Sequence, residues 1–357
     1  MPVPAMSRIK PLLQWMPAAE NRLLVVAGPC SVESREQLRT TAQAIAAGKR
    51  AQVLRAGVWK PRSKPGQFEG KGPVALPWVR EAGIDFGLLT AVEVAKPQHA
   101  ELCLEHQINI LWLGARTSVN PFMVQDIADT ITGTDVAVMI KNPVCPDLNL
   151  WVGAIERIAR AGIDKIIAVH RGFHIHQKSK YRNIPLWNMP QQLVKEIPGL
   201  PVICDPSHIA GHRALIPEVA AQALALMMDG LMLEVHHNPD KALTDPLQQI
   251  TPQMLAELLD ELNKASAQNP LQQLKIIRSL IDENDYKMLD ILAERMTLAS
   301  DIGILKKKTK TGVLQAERLK DIITDRLSRA EELGLSKSFI NNIIQLIHEE
   351  SVTLQSK

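Results

Sequence analysis

At 357 residues, 46% hydrophobic and 22% charged, the chain has a globular composition and a length suited to two domains, which excludes disordered and fibrous classes. Forty-one basic against thirty-eight acidic residues leave a net charge of +3, which argues against a nucleic-acid or membrane surface but allows local basic clusters. No apolar run is long enough to span a membrane, Met1–Glu20 lacks a signal peptide's apolar stretch, and four scattered cysteines (Cys30, Cys103, Cys145, Cys204) point to a reducing cytoplasm rather than a disulfide framework.

From about Leu23 to Glu234, eight short apolar runs recur: LLVVAG (23–28), QVLRAG (52–57), DFGLLT (85–90), NILWLG (109–114), DVAVMI (135–140), DKIIAV (164–169), PVICD (201–205) and GLMLEV (230–235). Amphipathic stretches such as SREQLRTTAQAIAAGK and PQHAELCLEHQ lie between them. β-like runs alternating with helices predict a parallel sheet, because each crossover returns the chain to the same end. Eight such units predict a closed (β/α)8 TIM barrel, an α/β fold; a doubly wound open sheet shows the same alternation.

TPQMLAELLDELN (251–263) reads as the last barrel helix, and the polar stretch KASAQNP after it reads as a linker. The predicted boundaries are 1–264 for the barrel, 265–270 for the linker and 271–357 for a second, all-α domain of three helices. Residues 271–308 form one helical pattern, with Leu274, Ile277, Ile281, Met288, Ile291, Leu292 and Leu298 near helical spacing. At about 1.5 Å per residue that helix runs on the order of 57 Å. Gly312 interrupts it, a second helix runs from about Gln315 to Leu333, and a third from about Ser336 to Gln355. A compact three-helix monomer cannot cover so long a stripe, so the pattern predicts a homodimer.

In such barrels the working side chains stand at the carboxyl ends of the strands. Arg55, Lys60, Arg62, Arg116, Lys141 and Arg171 put six cations there. Like charges gathered at one mouth await anions such as phosphate or carboxylate, although each residue alone is compatible with an ordinary solvated side chain. Cys30, His208, Glu234 and Asp245 offer a thiolate, an imidazole and two carboxylates, a mixed set better suited to a divalent transition metal than to calcium or magnesium. His174 and His176, in a loop, are a rival pair, and cysteines are often simply buried.

GPCS (28–31), R-x4-KPRS (55–63), GAR (114–116), KN (141–142), HRG (170–172), DPSH (205–208), LEVH (233–236) and the later Asp245 are similar to the motifs of DAHP synthases. The likeness covers residues 20–264 and is strongest to the short class that also resembles 3-deoxy-D-manno-octulosonate-8-phosphate synthases. It implies condensation of phosphoenolpyruvate with erythrose 4-phosphate. It also implies one divalent metal ion per barrel, of the Mn, Fe, Co or Zn class, on Cys30, His208, Glu234 and Asp245. Arg55, Lys60, Gly114, Ala115, Arg116, Lys141 and Arg171 would hold phosphoenolpyruvate, while Lys60, Pro61, Arg62 and Ser63 would meet the sugar phosphate, with Lys60 counted as catalytic. Octulosonate synthases typically carry an Asn-containing loop at KPRS, so Pro61 favours the shorter sugar; Ser63 replaces the commoner Thr but keeps its hydroxyl.

On the long helix, Arg295 and Lys306 are eleven residues apart and fall within about 20° of each other, while Arg278 is displaced by about 100°. Ser351 and Gln355, at i and i+4, share a face of the third helix. Helix surfaces carry Lys and Arg in any case, and spacing alone favours that plain reading. The text IIRSLIDENDYKMLDILAERMTLASDIGILK (276–306) and the terminal IIQLIHEESVTLQ (343–355) resemble the all-helical chorismate mutases, which form intertwined dimers. The resemblance implies a cofactor-free pericyclic rearrangement of chorismate to prephenate. Arg278 from the neighbouring subunit and Arg295 would bind the carboxylates, Lys306 and Gln355 would donate to the ether oxygen, and Arg318 and Ser351 would line the pocket. Gln315 and Leu319 depart from the acidic residues common there, and Leu319 cannot bond the substrate hydroxyl. Two alternatives stand beside this reading: a non-catalytic helical sensor of chorismate or prephenate, and octulosonate synthesis by the barrel. Feedback from prephenate through the linker is a further expectation.

Overall fold

Eight parallel strands, paired in sequence order with the last closing on the first, form a barrel in a computed structural model of the chain. The structure describes residues 5–16, 23–61, 66–176, 179–266, 270–310, 312 and 316–356. The strands are β1 (Leu24–Gly28), β2 (Val53–Ala56), β3 (Leu89–Val94), β4 (Ile110–Leu113), β5 (Ala137–Lys141), β6 (Ile166–His170), β7 (Val202–Cys204) and β8 (Gly230–Glu234). Closure excludes the open sheet. One strand is displaced from its expected place: residues 85–86 end a helix, Gly87 caps it at φ +67°, and the strand begins only at Leu89. The run DFGLLT straddles a helix end and a strand start, and apolar content alone does not separate the two.

Nine helices are described in the barrel region: α1 (Arg35–Ala47), α2 (Leu76–Phe86), α3 (Pro97–Glu105), α4 (Pro121–Ile131), α5 (Leu148–Arg160), α6 (Asn188–Glu196), α7 (Pro206–Ala210), α8 (Ile216–Ala225) and α9 (Pro252–Ser266). Their starts follow from the sequence. The side chains of Ser34, Asn120 and Asp147 accept hydrogen bonds from first-turn N–H groups of α1, α4 and α5, and Pro opens α3, α4 and α7. Strand residues alternate between the barrel interior and the helix layer. Val26, Val53, Ala91, Trp112, Met139, Val169, Ile203 and Met232 fill the interior, and Leu12 and Met16 join the same cluster. Val25, Ala27, Leu231 and Leu233 pack outward with Val219, Leu255 and Leu259.

The chain divides into two compact units between Ile276 and Ile277. α9 continues to Ser266, and α10 (Pro270–Thr309) begins at Pro270, so both ends of the expected linker are helical; residues 267–269 lie outside the described residues. The second unit continues with α11 (Ala316–Glu332) and α12 (Lys337–Ser356), joined through Gly334 at φ +71°. Within residues 277–356, the described residues that are buried are Ala299, Gly303, Ala330, Ser351 and Gln355. None is a large apolar side chain, whereas Ile277, Ile281, Met288, Ile291 and Leu298 on α10 are each at least 40% exposed. Among the described residues, no helix is long and apolar enough to cross a membrane.

Candidate active site

Alternation builds the barrel site. Two residues beyond each member of the interior layer stand Gly28, Arg55, Glu93, Gly114, Lys141, Arg171, Asp205 and Glu234. Side chains two apart share a face, so six charged groups and two glycines form the next ring toward the carboxyl ends. Gly28 is needed there, because a Cβ would stand 2.1 Å from the Arg55 carbonyl oxygen, whereas a Cβ on Gly114 would meet the movable end of Glu93, with Oε1 at 2.2 Å. Gly57 lets the loops after β1 and β2 cross, since its Cβ would stand 2.1 Å from the Cys30 carbonyl oxygen. That crossing lets Lys60 Nζ donate to the Cys30 carbonyl at 3.0 Å.

The ring opens into a cavity of about 440 Å³ lined by six cations, Arg55, Lys60, Arg116, Lys141, Arg171 and Arg182, against two carboxylates, Glu93 and Asp245. Pro61, Gly114 and Ala115 also line it, so every expected anion-binding residue within the described set does; Arg62 and Ser63 lie outside the described residues. Trp112 underlies the charges, with the Arg55 guanidinium carbon 5.0 Å and Lys141 Nζ 6.0 Å from its ring centroid. Arg55 is 1% exposed and pairs with Glu234 Oε1 at 3.1 Å. Its Nε and Nη1 have no acceptor among the described residues. Buried donors left unmet cost free energy until an acceptor arrives, and a carboxylate or phosphate fits that fork.

Beside the cations, the ligand atoms of Cys30, Glu234 and Asp245 lie within 4.8 Å of one another, with Cys30 Sγ 3.4 Å from Asp245 Oδ2. Asp245 holds φ +44°, a left-handed conformation that Asp tolerates better than most residues. His208 is outside that trio, yet its Nε2 is 3.7 Å from Glu234 Oε1. Asp205 explains its aim. It caps α7 by accepting from the His208 N–H at 3.1 Å, and its Oδ2 lies 2.8 Å from His208 Nδ1 and 2.7 Å from Lys141 Nζ. A proton on Nδ1 shared with Asp205 leaves Nε2 free as a ligand, the orientation metal-binding histidines usually have. Among the described residues, neither His174 nor His176 joins a metal-ligating group.

Burial, helped by Glu234, pushes the Cys30 thiol up to about 12. Burial also opposes ionisation of Glu234, but His208, Arg55 and Lys60 outweigh it and hold the carboxyl at about 2. His208 is lowered by burial and is therefore neutral near pH 7. One thiol, two carboxylates and a neutral imidazole fit a borderline-soft divalent cation, whose charge lowers the pKa of a coordinating thiol. Asp205, Arg182 and Gln248 were not among the expected site residues. Inward parity on β7 is a signal for Asp205, whereas Arg182 and Gln248 sit in loops without one.

In the second unit, Arg295 Nη1 donates to Ser351 Oγ at 2.6 Å and Lys306 Nζ to Gln355 Oε1 at 3.0 Å, two pairs joining α10 to α12. Gly303 permits that approach, because a Cβ there would stand 2.8 Å from Gln355 Cα. Arg278 and Arg318 are exposed, and neither hydrogen-bonds to these four residues.

The comparisons follow this division. The DAHP synthetase I family matches residues 11–269, and the chorismate mutase type II family matches residues 277–356. A phospho-2-dehydro-3-deoxyheptonate aldolase of Thermotoga maritima is 31% identical over 240 residues, 67% of this chain and 69% of the relative. A 2-dehydro-3-deoxyphosphooctonate aldolase of Nitratidesulfovibrio vulgaris (strain DP4) is 27% identical over 66% of this chain and 91% of its own length. The crystal structure of the phospho-2-dehydro-3-deoxyheptonate aldolase (DAHP synthase) from Thermotoga maritima superposes with a TM-score of 0.61 at 30% identity, covering 68% of each chain. The chain belongs to the DAHP synthetase I family and carries a chorismate mutase type II domain as its C-terminal unit.

Proposed function

We propose that the barrel unit joins phosphoenolpyruvate, erythrose 4-phosphate and water to give DAHP and inorganic phosphate, and that the helical unit rearranges chorismate to prephenate. The observation that carries the first reading is the cavity where Arg55, Lys141 and Arg171 of the strand-end ring meet Lys60 and Arg116 from the adjoining loops, beside a thiol, an imidazole and two carboxylates. The substrates bring two phosphates and a carboxylate, which repel one another until cations neutralise them. Arg55, Lys60, Gly114, Ala115, Arg116, Lys141 and Arg171 hold phosphoenolpyruvate, and Lys60 and Pro61, continuing into Arg62 and Ser63, meet the sugar phosphate. Fixing both substrates removes the entropy of encounter, which is worth roughly 7–11 kcal/mol.

The enol carbon of phosphoenolpyruvate is a weak nucleophile, so the aldehyde must be polarised. Cys30, His208, Glu234 and Asp245 would hold a divalent ion of the Mn, Fe, Co or Zn class, which when bound supplies Lewis-acid chemistry at the aldehyde oxygen. Lys60 stays protonated: burial opposes its charge, but Cys30, Glu93 and Glu234 outweigh it. Bonded to the Cys30 carbonyl and lining the cavity, it serves as a proton donor.

For the mutase, Lys306 and Gln355 donate to the ether oxygen as the C–O bond breaks, and Arg295 with Ser351 takes a carboxylate. A sensor would need only the carboxylate-binding arginines, so the joined Lys306–Gln355 pair favours catalysis. Among the described residues of this unit the buried ones are small or polar, and a second copy laid along α10 would supply an apolar core. Exposed Arg278 then serves the partner copy's site. Separate assays of both reactions on the intact chain, with and without a chelator, test the whole reading. The synthase should fall to background while the mutase continues, and substantial DAHP formation by metal-stripped protein would overturn the cation site.

A further inference from the structure

Arg182 lies in the loop between β6 and α6 and lines the cavity. Its backbone N–H donates to the Ala210 carbonyl at 3.4 Å. Its side chain passes over Gly211, where a Cβ would stand 2.4 Å from Arg182 Cβ. The guanidinium then meets two acceptors with Nη1: Asp245 Oδ1 at 3.1 Å and Gln248 Oε1 at 2.6 Å. Gln248 is buried, and its Nε2 donates to Glu234 Oε2 at 2.6 Å. A glutamine amide accepts at one end and donates at the other, so the relay from Arg182 through Gln248 to Glu234 has a single polarity.

Each carboxylate is thereby divided. Asp245 commits Oδ1 to Arg182 and turns Oδ2 toward Cys30 Sγ at 3.4 Å. Glu234 commits Oε2 to Gln248, while Oε1 faces Arg55 at 3.1 Å and His208 Nε2 at 3.7 Å. Asp245 has particular need of such a hold, because φ +44° is a sparsely populated backbone conformation.

We propose that Arg182 is a positioning residue of the cation site, holding Asp245 directly and Glu234 through Gln248 so that Asp245 Oδ2 stays turned toward Cys30 and Glu234 Oε1 toward His208. The proposal rests on reading Cys30, His208, Glu234 and Asp245 as that site. The rival role for a cation on this cavity wall is to hold a substrate phosphate, and the test separates the two. Cobalt(II) is titrated into the full-length chain, following the thiolate-to-cobalt absorption, for wild type, Arg182→Gln and Arg182→Lys. Thermal unfolding checks that each variant is folded, and KM for both phosphorylated substrates is measured at saturating metal. Arg182→Gln should weaken cobalt binding by about 10–100-fold with KM unchanged. Arg182→Lys should recover most of the affinity, because an ammonium can still bond both acceptors. Wild-type cobalt affinity in a folded Arg182→Gln variant would overturn the proposal, and a raised KM with unchanged cobalt affinity would assign Arg182 to substrate instead. A wild-type chain without the thiolate band would remove the cation-site reading itself, and the positioning role with it.

Discussion

Cys30 and Glu234 occupy one buried cluster and are driven in opposite directions, the thiol up to about 12 and the carboxyl down to about 2. His208, lowered by burial, is neutral near pH 7. Cys30 must therefore give up its proton to bind a cation as a thiolate. Below the thiol pKa the thiolate fraction rises tenfold per pH unit, so apparent cobalt affinity should climb about tenfold per unit between about pH 7 and pH 9. Titrations at several pH values read that slope, and a flat profile would mean that Cys30 is not a ligand. In the helical unit, Lys306→Ala and Gln355→Ala should each slow the rearrangement by about 2.7–4 kcal/mol in barrier, the usual cost of losing one preorganised donor to developing charge. Synthase turnover should stay near wild type. Mutase kcat close to wild type in both variants would restore the sensor reading.

Among the elements, the α10–α12 seam depends on one missing side chain. A Cβ on Gly303 would lie 2.8 Å from Gln355 Cα, and that neighbour is backbone, which cannot swing aside. Gly303→Ala should force the helices apart, destabilising this unit by about 1–3 kcal/mol and lowering mutase activity. Thermal unfolding with both assays checks this, and a wild-type mutase rate in the variant would show that the seam can yield. Strand placement shows what local pattern conveys. β1, β2 and β4 fall within a residue or two of their apolar runs, whereas β3 begins later because Asp85 and Phe86 complete α2 before Gly87 turns the chain. With β3 at Leu89–Val94, parity aims Glu93 inward beside Arg55 and Lys141.

For the molecule as a whole, the exposed stripe on α10 bears on assembly. If Arg278 acts across a dimer, mixing Arg278→Ala with Arg295→Ala protein should recover part of the mutase activity, since each heterodimer has one site with both arginines intact. No recovery after verified subunit exchange would place Arg278 in its own subunit's site.

The two architectures, the strand-end cations and the GPCS, KPRS, DPSH and LEVH motifs are legible in sequence, because period-2 and helical patterns and short motifs are local properties of the chain. Arg295 with Lys306, and Ser351 with Gln355, are likewise visible as shared helix faces. What joins across the fold is not. Cys30 meets Asp245 from 215 positions away, and Arg182 meets Gln248 from 66. Asp205 turns His208 toward Glu234, and Gly57 lets Lys60 reach the Cys30 carbonyl. Those meetings depend on barrel closure, which brings the loops of distant strands to one end; no periodicity along the chain encodes the distance between them.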